Sequence, residues 1–315
     1  MQKPIVVVGS INLDLVVGAD RIPEVGETIV GNHFNIFHGG KGANQAVAVA
    51  KLGYPVAMVG SVGSDSFGMQ LRNGLKDSGV DTTYVNQVEG ASGVALITTG
   101  LRGENNIVVV PGANGNLTPQ VLEKAAAILE RAGFLLAQLE LPLATVECLA
   151  EFAERHNIPL MLDPAPARQL SKKLLHRVTW LTPNETETQQ LIKDGTENGD
   201  QNDNAMAERL LDCGVKNVLL KLGSRGCLIA QGILTKERIS AFVVNAVDTT
   251  AAGDAFNAGF AVGLMRGFTV VHSAIFASAV AAISVTRPGA HSSMPSREEV
   301  DRFLEEHSTP ISAPS

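Results

Sequence analysis

Short, solidly apolar segments separated by longer helix-like ones constrain this chain more than any other feature. Ile5–Val8, Val56–Val59, Phe134–Leu139, Leu160–Asp163, Thr179–Thr182, Asn217–Lys221 and Leu228–Gln231 read as strands. Several lack the polar–apolar alternation of a strand with one wet face. They must be covered on both faces, as in a parallel sheet flanked by helices. The helix ends between them are legible. Thr118 followed by Pro119 predicts an N-cap with proline at the first helical position, ahead of a helix over Val121–Arg131. Gly53 and Gly214 predict the stops of helices Ala43–Leu52 and Ala205–Cys213. Ser296 and Glu299 predict a capping box that opens the last helix toward Glu306. This alternation predicts a doubly wound α/β fold, a three-layer αβα sandwich with its site at the carboxyl ends of the strands.

Two stretches break the rhythm. Leu15–Phe37 and Val94–Val110 read as strand–turn–strand without a helix, punctuated by Pro23-Glu24-Val25-Gly26 and Gly103-Glu104-Asn105-Asn106. Inserted β elements of this kind form either edge hairpins or a lid over a site; a small discontinuous β-sheet lid, segments 15–37 and 94–110, is expected. The rest reads as one domain over 1–307. Asp194–Asn204 reads as a polar surface loop and 308–315 as a disordered tail.

Composition excludes several classes. With 315 residues, 45% of them hydrophobic and 18% charged, the chain can bury a large core and is not disordered. A net charge of −7 argues against coating nucleic acid, while leaving room for a local basic pocket for a small phosphate. Cys148, Cys213 and Cys227 form no C-x-x-C pair and read as free thiols of a reducing compartment. Ile5–Val8 has no signal-peptide cleavage site after it, and Gly267–Thr286, uncharged but rich in Ala and Ser, reads as a buried helix. A cytoplasmic protein without a membrane partner is expected.

Five clusters carry chemistry. In Asp248-Thr249-Thr250-Ala251-Ala252-Gly253-Asp254, small residues precede a long apolar helix, so amides at its N-terminus suit a phosphate. Asp254 would stand beside that phosphate as a base for a hydroxyl, or would simply favour its own helix N-terminus. Gly39-Gly40-Lys41-Gly42-Ala43-Asn44 is neither a P-loop nor a dinucleotide fingerprint. It reads either as a turn that lets backbone approach a ligand, with Lys41 and Asn44 as donors, or as a glycine turn with a solvated lysine. Asn12 and Asp14 follow the first strand and share a direction if the chain stays extended, which suits gripping sugar hydroxyls; turn-capping is the other reading. Asn184 and Glu187 are spaced to position hydrated Mg²⁺ beside a nucleotide, or to form a capping box. Leu222-Gly223-Ser224-Arg225-Gly226 is a nucleotide-binding turn or a plain hairpin.

Together these segments resemble the PfkB-type, ribokinase-like carbohydrate kinases. The likeness runs from Gly9-Ser10-Ile11-Asn12 through Gly39–Ala46, Gln138-Leu139-Glu140 and Asp163-Pro164-Ala165-Pro166-Ala167 to Val285-Thr286-Arg287. It implies that Asn12, Asp14, Gly40, Lys41, Gly42, Asn44 and Glu140 hold the sugar and that Asp254 is the catalytic base. It implies an anion hole at Ala251, Ala252 and Gly253, and ATP contacts from Asn184, Lys221, Gly223, Ser224, Arg225, Gly226, Gly253 and Ser278. Asn184 and Glu187 would attend Mg²⁺. Asp248, Thr250, Ser284, Arg287, Gly289 and Ser293 match a K⁺ site, mostly through backbone carbonyls. A homodimer through the lid is implied. Two positions depart from the pattern: Lys221 replaces a usual Thr, and Ser278 stands where some members have His. The Lys221 ammonium either pairs with a polyphosphate oxygen or reaches water from a packed stem.

The resemblance implies transfer of the γ-phosphate of MgATP to the 5-hydroxyl of D-ribose. Other readings are a kinase for deoxyribose, another sugar or a nucleoside, and a catalytically idle sugar-binding protein. Asn12 and Asp14 together favour a fully hydroxylated pentose. A dinucleotide oxidoreductase lacks its glycine fingerprint after the first strand.

Overall fold

The computed structural model describes residues 2–101, 104–192, 202–232 and 235–309. The chain opens with β1 (Ile5–Val8), β2 (Asn12–Gly18), β3 (His33–Gly39), α1 (Lys41–Lys51), β4 (Val56–Gly63) and α2 (Ser66–Asp77). It continues through β5 (Asp81–Val88), β6 (Gly93–Thr99), β7 (Asn105–Val110), α3 (Pro119–Lys124), α4 (Ala126–Arg131) and β8 (Phe134–Gln138). Next come α5 (Leu143–His156), β9 (Leu160–Asp163), α6 (Lys172–Arg177), β10 (Trp180–Leu181), α7 (Glu185–Leu191) and α8 (Asp203–Asp212). The last third holds β11 (Asn217–Lys221), β12 (Cys227–Gln231), β13 (Thr235–Ile239), α9 (Ala252–Met265), α10 (Val270–Ser284) and α11 (Arg297–Glu306).

Nine strands form the main sheet in the order β13-β12-β11-β10-β9-β8-β1-β4-β5. β5 through β11 along that order are parallel, and β12 and β13 add antiparallel strands at one edge. The order reverses at β1, which lies between β4 and β8, so a crevice opens outside its carboxyl end. Side chains alternate across the strands and both faces are buried. Ile5, Val7, Leu136, Met161 and Leu219 pack under α1, α9 and α10. Val6, Val8, Leu135, Leu162 and Val218 pack against α3, α4, α5, α6 and α8. This two-sided burial explains the solid apolar runs in the sequence.

A second sheet, β3-β2-β6-β7, is built from the two stretches that interrupt the rhythm. β2 pairs antiparallel with β3 and parallel with β6, which pairs antiparallel with β7. The turn at Gly103 lies outside the described residues, as do most of the expected 194–204 loop and residues 310–315 of the expected tail.

Several expectations need correction. The helix over Val121–Arg131 is two short helices, because the chain tightens at Ala125, whose N–H takes both the Val121 and Leu122 carbonyls. Thr118 precedes Pro119 as expected but its side chain caps nothing. The strand at Thr179–Thr182 keeps only two residues. β5 and β13 escaped the apolar-run criterion, since one is half exposed and the other, Thr-Lys-Glu-Arg-Ile, is a charged edge strand. The capping box of Ser296 and Glu299 is present, and Gly53 and Gly214 take positive φ after their helices. The uncharged Gly267–Thr286 stretch is the buried α10, and no described helix is long and apolar enough to cross a membrane. The three cysteines are free.

The sheet is locked to α9 by Trp180, whose ring meets the fully buried Phe260 edge-on at a centroid distance of 4.9 Å. Trp180 is the only tryptophan, so its fluorescence reports this contact directly. Phe260→Ala is expected to lower the unfolding free energy by about 3–5 kcal/mol, through lost burial and the cavity left behind. Urea titration followed by Trp180 emission measures this, and a loss below about 1 kcal/mol would contradict the packing.

Candidate active site

The crevice beside β1 is assembled from strand ends that are far apart in sequence. Gly40 caps α1 at φ +89, a conformation open to glycine, and turns the chain out of β3. α1 then starts so close to the loop after β1 that a β-carbon on Gly42 would stand 2.6 Å from the Gly9 backbone. Gly42 is therefore required by the approach of chain to chain. The first amides of α1 are also used internally. Lys41 N–H donates to Glu140 at 3.2 Å, Gly42 N–H to the Ser10 hydroxyl at 3.4 Å, and Ala43 N–H to the Ser10 carbonyl at 2.9 Å. The Ser10 hydroxyl in turn donates to Glu140 at 2.5 Å. The glycine turn thus holds a carboxylate, with Arg168 bracing the same segment by donating to the Leu139 and Leu141 carbonyls.

Asn12 and Asp14 lie two apart in extended β2, on one face of the small sheet. The Asn12 side-chain oxygen accepts from Asn114 at 2.7 Å, and Asn114 also bonds both backbone groups of Ile11. Asp14 sits half-buried among other acids. Burial, then Glu140 and Asp254, push its carboxyl up to about 7. Asn12, Lys41, Glu140 and Glu187 line one cavity of 660 Å³, roofed by Val109 of the small sheet.

Asp254 occupies the first turn of α9 and is 3% exposed. Its two oxygens accept from Asn44 at 2.9 Å and from Gln45 at 3.0 Å. Burial raises its carboxyl; Lys41 and the two amides pull it back only in part, and it stays above its ordinary value. Ala251 turns into the helix through a left-handed φ of +59. Ala252 N–H is taken by the Thr249 carbonyl at 3.2 Å. Gly253 and Asp254 follow in the first turn, where backbone amides have no carbonyl one turn earlier to bond. Of the three residues expected to form an anion hole, Ala252 has its amide engaged by Thr249, and Gly253 follows it in the cavity wall.

Sequence reasoning named Asp163 only within a motif, and missed Gln45, Gln138 and Asn114 as site residues. Asp163 ends β9 and is buried; its oxygens meet Lys221 at 2.9 Å and Lys41 at 3.8 Å. Burial would raise this carboxyl, but Lys221 and Lys41 outweigh it and hold it below its ordinary value. Gln45 bridges the two carboxylates, donating to Asp163 at 3.3 Å and Asp254 at 3.0 Å while accepting from Gln138 at 2.8 Å. An acid closing a wholly apolar parallel strand was the available signal, since only the carboxyl end of such a strand meets a ligand crevice. Lys41 is likewise not a solvated lysine. Desolvation disfavours its charge, but Asp254, Asp163 and Glu140 more than compensate and raise it above the ordinary lysine range.

A second cavity, 390 Å³, opens on the other side of Gly253. Gly223, Ser224, Gly226 and Ser278 line it beside Phe242, Val244, Phe256 and Val285. This apolar slot has the character of a site for a flat ring, and the buried Ser278 hydroxyl in it has no partner. The 222–226 segment is both readings at once: a tight hairpin turn, Leu222 N–H to Gly226 carbonyl 2.8 Å, that also forms a cavity wall. Arg225 points to Glu185 and Asp203, at 2.6 and 2.7 Å, and does not line that wall. Asn184 and Glu187 form the capping box of α7, with both Glu187 oxygens accepting from Asn184.

Asp248 ties two loops together, accepting from Thr250 N–H at 2.9 Å and Gly289 N–H at 2.8 Å. The Ser284 and Ser293 hydroxyls donate to the Ala281 and Ala290 carbonyls, and Arg287 pairs with Glu299. The Asp248 carboxylate and the Ser284 and Ser293 hydroxyls are thus engaged with the protein's own groups. Among the described residues no cluster of three or more His, Cys, Asp or Glu could hold a metal ion.

The sequence profile of the pfkB family carbohydrate kinases matches residues 2–297. The ribokinase of Haemophilus influenzae is 41% identical over 308 residues, covering 97% of this chain and 99% of that one. The deoxyribokinase of Salmonella typhi is 38% identical, covering 95% and 98%. The ribokinase of Arabidopsis thaliana, solved with ribose and ATP, superimposes with a TM-score of 0.89 at 35% identity, covering 97% of this chain and 99% of that one.

The crowding of Asp14 has a measurable consequence. Its folded-state value is raised, so the folded chain holds a proton that the unfolded chain releases near pH 4. Stability from this group is complete below about pH 4 and is lost as pH rises through about 7. Asp14→Asn is therefore expected to stabilise the fold at about pH 8 by roughly 1–2 kcal/mol, discounted for partial exposure, and to change little at about pH 4. Denaturant titrations of both proteins at the two pH values decide this; an equal difference at each would contradict the crowding.

Proposed function

Since the chain belongs to the pfkB family of carbohydrate kinases, we propose that it transfers the γ-phosphoryl group of MgATP to the 5-hydroxyl of D-ribose, giving D-ribose 5-phosphate and ADP. The observation that carries this reading is the buried Asp254 carboxylate, held by Asn44 and Gln45 in the first turn of α9, whose residues Ala252 and Gly253 line the 390 Å³ cavity. The ribose and ATP named with the Arabidopsis relative fit the 660 Å³ and 390 Å³ cavities in chemistry.

Asn12, Asp14, Lys41, Asn44 and Glu140 supply the acceptors and donors that a pentose's hydroxyls need, and the Gly40–Gly42 turn lets the sugar approach. Asp254 removes the proton of the reacting hydroxyl, for which a raised carboxyl is suited because it is a stronger base than an exposed one. As the sugar oxygen bonds to the γ-phosphorus, the bond to the β,γ-bridging oxygen breaks and ADP leaves with that electron pair. The Gly253 amide faces the charge spread over the transferred phosphoryl. The nucleotide's ring lies in the apolar slot by Ser278, with Asn184, Gly223, Ser224 and Gly226 around its sugar and phosphates, while Arg225 is held away from that wall by Glu185 and Asp203. Mg²⁺, attended by Asn184 and Glu187, supplies charge neutralisation on the phosphates. K⁺ at the carbonyls of the Asp248–Thr250 and Ser284–Ser293 loops would order the segment that leads into the anion hole.

The same reading includes a homodimer in the cytoplasm. Val17, Phe34, Ile36, Leu96, Val108 and Val110 share the face of the small sheet opposite Asn12 and Asp14, and all are exposed. Pairing two such faces covers an apolar patch that a monomer leaves in water.

ADP release over a panel of pentoses, hexoses and nucleosides tests the substrate. D-Ribose is expected to give the highest kcat/KM; deoxyribose ahead of it would shift the assignment to the activity of the Salmonella relative, and a hexose or nucleoside ahead would overturn it. Asp254→Asn keeps shape but cannot take a proton, so kcat is expected to fall about 10²–10⁴-fold while ribose affinity changes much less. Folded, ribose-binding Asp254→Asn protein with kcat within a few-fold of the parent would refute the base.

A further inference from the structure

β11 ends on a lysine that lines the 390 Å³ cavity, and it shares Asp163 with Lys41 of the 660 Å³ cavity. Lys221 Nζ donates to Asp163 at 2.9 Å, and a β-carbon placed on Gly253 would lie only 3.4 Å from that nitrogen. The side chain is 14% exposed, and it lines the 390 Å³ cavity together with Gly223, Ser224 and Gly253. Its charge therefore does not escape to water along a packed stem. An ammonium carries three N–H donors, and Asp163 takes one. Lys41 meets the other Asp163 oxygen from the sugar side at 3.8 Å. One carboxylate thus serves two ammonium groups, and Lys221 keeps N–H donors that Asp163 does not take, beside the first turn of α9. A terminal phosphate is the ligand that such a partly desolvated, pre-positioned cation recognises.

We propose that Lys221 is a further phosphate-contacting residue, completing the anion hole. Held on Asp163 by one N–H, it presents the others to the γ-phosphoryl oxygens beside the Gly253 amide. The proposal rests on the kinase reading above and adds to it a charged donor for the transferred group. Lys221 takes no part in bond making: the sugar oxygen bonds to phosphorus, the bridging bond breaks toward ADP, and the proton goes to Asp254. Because ADP has no γ-phosphate, the contact discriminates ATP from ADP.

Calorimetric titration of the full-length chain with MgATP and MgADP, without sugar, tests it independently of turnover. Lys221→Met is expected to weaken ATP at least tenfold while leaving ADP within about twofold, and to lower kcat about 10²-fold with little change in the KM for ribose. Lys221→Arg is expected to restore part of the preference for ATP. An unchanged ratio of ATP to ADP affinity, or an equal loss of both, would overturn the contact and leave Lys221 as a structural partner of Asp163. Should Lys221→Met not fold because Asp163 loses a partner, Asp163→Asn/Lys221→Met compared with Asp163→Asn gives the same readout. If the parent binds ATP yet phosphorylates no sugar, the kinase reading fails while the ATP-to-ADP comparison still decides the role of Lys221.

Discussion

Asp163 and Asp254 are two buried carboxylates bridged by one amide, Gln45, and their mutual repulsion has to be balanced for the crevice to exist. Lys41 and Lys221 balance it. The compensation is unequal: Asp163, with two ammonium partners, is held low, whereas Asp254, with amide donors and a more distant charge, stays high. The same two positive charges therefore separate the acids into one that remains ionised and one suited to exchange a proton. Removing one partner from such a buried set typically costs about 3–5 kcal/mol, so the arrangement is held far more tightly than a surface ion pair would be.

Topology makes that balance possible. Asp163 and Lys221 end parallel strands β9 and β11, Glu140 follows β8, Ser10 follows β1, and Lys41 and Asp254 begin helices on the same edge. In a parallel sheet every strand end of one polarity meets the same crevice, so residues separated by up to two hundred positions reach one another without long loops. The apolar strands carry no function themselves. Their two-sided burial gives the edge a fixed frame on which Asn44 and Gln45 hold Asp254 by hydrogen bonds of 2.9–3.0 Å.

Most of this was legible in the sequence where a local rule decided it. Apolar runs gave the central strands, and Ser296 with Glu299 gave a helix start, because these depend on neighbours a few residues away. The break at Ala125 and the polar strands β5 and β13 were not legible, since they depend on hydrogen bonds and edge positions that only the folded sheet defines. In the site, Asn12, Lys41 and Glu140 line one cavity, and Lys41 feels the charge of Asp254. The role of Asp163 was hidden because its meaning lies in partners 122 and 58 positions away, at Lys41 and Lys221. Likewise, nothing local to Gly42 tells that a side chain there would meet the backbone of Gly9.

The small sheet links this edge to the surface. Strand geometry sends Asn12, Asp14 and Val109 to one face and Val17, Phe34, Ile36 and Leu96 to the other. A shift of register by one residue would exchange the two faces, turning apolar side chains toward the 660 Å³ cavity and Asp14 to the outer surface. Three pairings of β2, β3, β6 and β7 fix that register, and the Asn114 bonds to Ile11 and Asn12 anchor its inner end to the body. β2 therefore carries Asn12 and Asp14 at positions set jointly by the small sheet and by Asn114. Because Asp14 feels Glu140 and Asp254 electrostatically, even a small displacement changes the charge balance around the proposed base.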